Sequence, residues 1–91
     1  MKKVFVVGLG LIGASLAKNI KTFQENCLVY GFDQDSYAMD YAVNNHIIDD
    51  YFSQFEEGVH WANIIILATP ITNTVEYMKQ IDQFSLKEEK I

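Results

Sequence analysis

The stretch Val4-Phe5-Val6-Val7-Gly8-Leu9-Gly10-Leu11-Ile12-Gly13 decides the fold. Four consecutive apolar residues suit a parallel strand covered on both faces. Three glycines follow in the spacing Gly-x-Gly-x-x-Gly, and Ala14 to Phe23 then reads as a helix. Strand, glycine turn and helix in that order form the place where a dinucleotide pyrophosphate sits. Gly8 lets the chain turn sharply out of the strand. Gly10 leaves room for the pyrophosphate, and Gly13 lets the first helical turn pack against the strand. The amides around Leu11, Ile12 and Gly13 then point at the anion, and the helix dipole adds partial positive charge. A larger residue at position 10 is therefore expected to cost binding more than stability.

The next apolar run, Leu28 to Phe32, reads as a second strand and ends at Asp33. An acid about 20 residues after the glycines can accept hydrogen bonds from the adenosine ribose hydroxyls. It also repels a ribose 2′-phosphate, a group that ordinarily meets an arginine nearby. All the basic residues here are lysines. The expected cofactor is NAD, not NADP. Asp33 could instead cap the following helix, but Asp35 and Ser36 are available for that.

Working outward, a helix from Asp35 or Ser36 to about Asn44 is stopped by Asn44-Asn45, since Asn tolerates the left-handed conformation. Ile47-Ile48 reads as a short third strand, and Asp49 to Gly58 as a loop with a helical turn, with His60 in a loop as well. Asn63 to Ala68 is a buried strand ended by Thr69-Pro70. Asn73 with Glu76 resembles a capping box, and Val75, Met78 and Ile81 form an apolar stripe on the last helix. On the first helix Ile12, Leu16, Ile20 and Phe23 are expected to face inward, with Ala17 in close contact. Right-handed crossovers then give a parallel sheet in the order 3-2-1-4 between helical layers. This is an α/β, Rossmann-type doubly wound fold in part, one mononucleotide-binding half. Ala68, Thr69 and Pro70 fall at the switch point where open α/β sheets bind ligands, and their size leaves space for the nicotinamide ribose. Lys87 to Ile91 falls where a further strand would start. An open, apolar fourth strand is a liability for a finished domain. The chain therefore reads as residues 1–91 of a longer protein.

Composition bounds the function. Ninety-one residues make one small domain with a thin stability margin. A formal net charge of −5 argues against nucleic acid or an anionic membrane as partner. No apolar run approaches the roughly 20 residues that span a bilayer. Met1-Lys2-Lys3 leads into a strand rather than a signal peptide, so cytoplasm is the expected compartment. Cys27 is the single cysteine and reads as a small buried hydrophobe. His46, His60, Asp49 and Asp50 match no metal-ligand spacing. No catalytic set is visible, and Ser15 either reaches the phosphates or faces solvent.

Gly8 to Ala17, reading GLGLIGASLA, resembles the opening of the prephenate dehydrogenase family of tyrosine biosynthesis. Gly31-Phe32-Asp33, Ala42 to Asp49, and Ala62 to Ile71 resemble it in the same order. Two positions depart from the family pattern: His46 stands where glycine is usual, and Asn63 where aspartate is usual. The first implies that the helix ends through Asn45 or with strain. The resemblance implies oxidative decarboxylation of prephenate by NAD, giving carbon dioxide and 4-hydroxyphenylpyruvate. It also implies a homodimer built by a later helical domain. The family's catalytic residues lie beyond its first four strands, so only cofactor residues carry over: Gly8, Gly10, Leu11, Ile12, Gly13, Asp33, Ala68, Thr69 and Pro70. Two other readings remain open, another NAD-dependent dehydrogenase, including an arogenate-specific one, and a non-catalytic NAD-sensing module.

Overall fold

A computed structural model describes residues 1–87. The elements run β1 (Lys2–Val7), α1 (Leu11–Phe23), β2 (Cys27–Phe32), α2 (Ser36–Asn44), β3 (Asp50–Tyr51), α3 (Phe55–Trp61), β4 (Ile64–Leu67) and α4 (Ile71–Lys87). The sheet has the order β3-β2-β1-β4, with every pairing parallel. This is the Rossmann-type topology expected. β1 lies at its centre, with Val4 opposite both Val29 and Ile64.

Because side chains alternate along β1, its two faces enter different cores. Val4 and Val6 join Ala17 of α1, Val29 of β2, and Met39 and Ala42 of α2. Phe5 and Val7 join Phe55 of α3 and Tyr77 of α4, with Trp61, Ile81 and Phe84 packed against them.

Several local expectations are corrected. On α1 the buried residues are Gly13 and Ala17, and Ile20 packs against the core. Ile12, Leu16 and Phe23 are exposed. The helix lies so close to β1 that only its small-residue face fits there. On α4 the inward residues are Tyr77, Ile81 and Phe84, while Val75 and Met78 face out. That helix already begins at Ile71, so Asn73 sits inside its first turn and does not cap it. Thr74 supplies the local contact, its hydroxyl donating to the Thr69 carbonyl at 3.0 Å.

The third strand is Asp50–Tyr51, not Ile47-Ile48. The amides of Ile47 and Ile48 are occupied by the Ala42 carbonyl as α2 ends. His46, at φ 58, takes the left-handed conformation expected of Asn45, which has φ −102. Asp49 begins the pairing: its amide donates to the Val29 carbonyl and its carboxylate accepts from the Val29 amide, both at 2.8 Å. Phe55 to Trp61 forms a full short helix where a loop with one helical turn was expected, and it includes His60, expected in a loop. Asn63 ties the start of β4 to β1, its side chain accepting from the Lys3 amide at 2.9 Å. Lys87, expected in a further strand, is still in α4, and 88–91 lie outside the described residues. Among the described residues no helix is long and apolar enough to cross a membrane.

Candidate cofactor site

The crevice lies at the carboxyl ends of β1, β2 and β4. Gly8 leaves β1 with φ +95, a conformation open to glycine and rare for other residues. A β-carbon there would also fall 2.3 Å from the Ala68 carbonyl oxygen. Gly13 faces the same constraint from the other side, since its β-carbon would lie within 1.7 Å of the Gly8 carbonyl oxygen. These two glycines let β1, β4 and α1 converge. Gly10 differs: nothing lies within 4 Å of its would-be β-carbon, and its φ of −72 suits any residue. Its smallness leaves room rather than relieving crowding.

The first intrahelical bond of α1 runs from the Ala14 amide to the Gly10 carbonyl at 2.9 Å. The amides of Gly10, Leu11, Ile12 and Gly13 have no acceptor among the described residues. No acidic residue stands in that first turn. These N–H groups and the positive end of the helix dipole make the turn favourable to negative charge.

Asp33 is half-buried at the end of β2. One carboxylate oxygen accepts from the Leu9 amide at 2.7 Å and the other from the Asp35 amide at 2.9 Å. A carboxylate has about four acceptor positions, so each oxygen keeps one for a ligand. Asp35 performs the capping, accepting from the Tyr37 amide at 3.0 Å. The capping of α2 therefore falls to Asp35 and not to Asp33.

Gly8, Gly10, Asp33, Ala68, Thr69 and Pro70 line one crevice of about 240 Å³. Leu11 and Ile12 border a contiguous hollow beyond Gly10 that shares Ala68 to Pro70. Gly13 lines neither and lies beneath, against Gly8. Ser15 faces solvent. Three further lining residues, Gln34, Asn73 and Tyr77, escaped the sequence reading. The Gln34 side-chain amide donates to the Tyr77 hydroxyl at 3.2 Å, joining the loop after β2 to α4. Asn73 and Tyr77 are four apart and so share a helix face, a signal hidden while Asn73 was read as a cap.

The fold and this crevice define a nucleotide-binding domain of the dehydrogenase type. The family described as "D-isomer specific 2-hydroxyacid dehydrogenase, NAD binding domain" matches residues 1–90, and the chain belongs to it. The cofactor of this domain is NAD. Among curated proteins the chain is similar to the prephenate dehydrogenase of Lactococcus lactis subsp. cremoris, 41% identical over 97% of this chain and 24% of the relative. It is also similar to that of Bacillus subtilis, 30% identical over 94% of this chain and 23% of the relative. The chain thus spans about a quarter of the length of these relatives. A solved structure of prephenate dehydrogenase from Aquifex aeolicus, in complex with hydroxyphenyl propionate and NAD+, superposes with a TM-score of 0.83. It is 25% identical, over 92% of this chain and 30% of that one. The resemblance read from the sequence is shown by these relatives.

Proposed function

We propose that this chain is the NAD-binding part of a prephenate dehydrogenase. One observation carries the binding reading: Gly10 with its unpaired amide, a carboxylate with acceptor positions to spare, and the small residues ending β4 line one crevice, and Leu11 and Ile12 border the hollow beside it. Gly10 and the amides of Leu11, Ile12 and Gly13 would hold the pyrophosphate. Asp33 would hold the adenosine ribose, and its negative charge, with no arginine in the chain, would disfavour a 2′-phosphate. Ala68, Thr69 and Pro70 would border the nicotinamide ribose. When bound, NAD supplies the hydride acceptor. The reaction is oxidation of prephenate with release of carbon dioxide and formation of 4-hydroxyphenylpyruvate, in a cytoplasmic homodimer. Similarity to Synechocystis arogenate dehydrogenase, at TM-score 0.77 and 30% identity, supports arogenate as the second substrate reading.

Calorimetric titration of the chain with NAD and NADP tests the cofactor assignment. NAD should bind and NADP should bind at least about tenfold more weakly, since a like charge beside the phosphate costs upward of 1 kcal/mol. Equal affinities would refute the role given to Asp33. This chain alone should form no NADH from prephenate. Turnover by it would refute the division of binding from chemistry.

A further inference from the structure

We infer that Asp33 is also a positioning residue, whose carboxylate holds the glycine loop in the shape that receives the pyrophosphate. The inference rests on the cofactor reading above and deepens it. Leu9 stands between Gly8 and Gly10, two joints with unusual backbone freedom. Two ties restrain that short segment from the direction of β2. The Gly8 amide donates to the Phe32 carbonyl at 2.8 Å, and the Leu9 amide donates to Asp33 at 2.7 Å. The second is charge-assisted and part-buried, hence the stronger kind. The other Asp33 oxygen is fixed by the Asp35 amide, so the carboxylate cannot turn away without losing that bond. The Leu9 side chain meanwhile is buried in the aliphatic core.

One carboxylate therefore sets both the ribose contact and the position of the next residues, Gly10 to Gly13, whose amides face the anion. An asparagine at position 33 offers one acceptor oxygen. Its NH2 group would oppose either the Leu9 or the Asp35 N–H, so one tie must break.

The test is Asp33→Asn with 2′,3′-dideoxyadenosine 5′-diphosphate, a ligand that keeps the diphosphate and lacks both ribose hydroxyls. Loss of a ribose contact cannot affect this probe. Removing a negative charge should by itself tighten binding of an anion. The clamp predicts the opposite sign, a weakening of roughly five- to tenfold, with the Leu9 amide proton moving upfield in the 1H–15N spectrum. Unchanged or tighter probe binding, alongside weakened NAD binding, would overturn the clamp and leave the NAD assignment standing. Absence of NAD binding by the unaltered chain would remove both. Should Asp33→Asn not fold, the unaltered chain decides. Its Leu9 amide proton should lie downfield and exchange slowly without ligand, and exchange at the rate of an open loop would overturn the proposal.

Discussion

On the face of the sheet carrying α1 and α2, Val4, Val6 and Val29 meet Ala17, Ala42, Met39 and Ile48. On the opposite face Phe5 meets Phe55, with Phe52, Trp61, Tyr77 and Phe84 around them. The aliphatic face uses small side chains, which permit the close approach of α1 to β1 that brings the helix amides to the crevice. The aromatic face is filled with rings: Phe5 lies 5.9 Å from Phe52 and 6.0 Å from Phe55, and Tyr30 stacks on Trp61 at 4.5 Å. There Gly58 is a point of close approach, its would-be β-carbon meeting the Phe5 ring. The aromatic core reaches the crevice through Tyr77. The difference is one of task, with one face positioning the glycine loop and the other supplying buried area.

Four substitutions break or sharpen that contrast. Phe5→Ala should have the largest effect on stability, because the ring is fully buried and central to the aromatic core. A loss of about 3–5 kcal/mol is expected in denaturant melts, a large part of the whole in a domain this small. A loss below about 1 kcal/mol would mean that the rings do not form a core. Gly13→Ala comes next. The new methyl group must displace Gly8 or α1, costing about 1–3 kcal/mol and abolishing NAD binding in calorimetry. Retention of full affinity would separate loop position from helix approach.

Gly10→Ala should leave stability within about 1 kcal/mol, the order of a helix-cap change, while sharply weakening NAD binding. Comparing its melting curve and titration with those of Gly13→Ala distinguishes the glycine that makes room for a ligand from the one that lets elements pack. Equal loss of stability in both would erase that distinction. The smallest effect belongs to the rim of the sheet, where Tyr51 packs at the border of the aliphatic core. The Tyr51 hydroxyl donates to Asp40 at 3.2 Å, and the negative charge of that carboxylate raises the Tyr51 pKa above the usual tyrosine value. A raised folded-state pKa means that the associated stability is complete below the unfolded value and lost as pH rises through the folded one. Asp40→Asn should therefore lower the pH at which phenolate absorbance appears, with little change in melting near neutrality. An unmoved titration would show that the bond does not form in solution.

The glycine turn was legible because its demands are local: a sharp exit from β1 calls for a residue without a β-carbon, and Gly8 takes it at φ +95. Strand order was legible through the handedness of crossovers between parallel strands. The cap of α2 was legible as Asp35 or Ser36, and the structure chose Asp35. The inward face of α1 was not. Two apolar stripes compete there, and the larger residues Ile12, Leu16 and Phe23 carry the stronger hydropathy signal, yet Gly13 and Ala17 are buried. The third strand was misplaced by the same limit, since Ile48 is buried without belonging to the ladder. Gln34 and Tyr77 could not be paired from sequence because they come together only across the crevice.

The sequence by itself determined the parallel α/β order, the backbone freedom at Gly8, and an acid at the tip of β2. Each follows from residue type, spacing or chain handedness over short distances. Only the tertiary structure decided which helix faces are inside, where β3 pairs, and that Asp33 is bonded to Leu9. Those outcomes depend on how closely segments distant in the chain can approach, and on which buried polar groups then find partners.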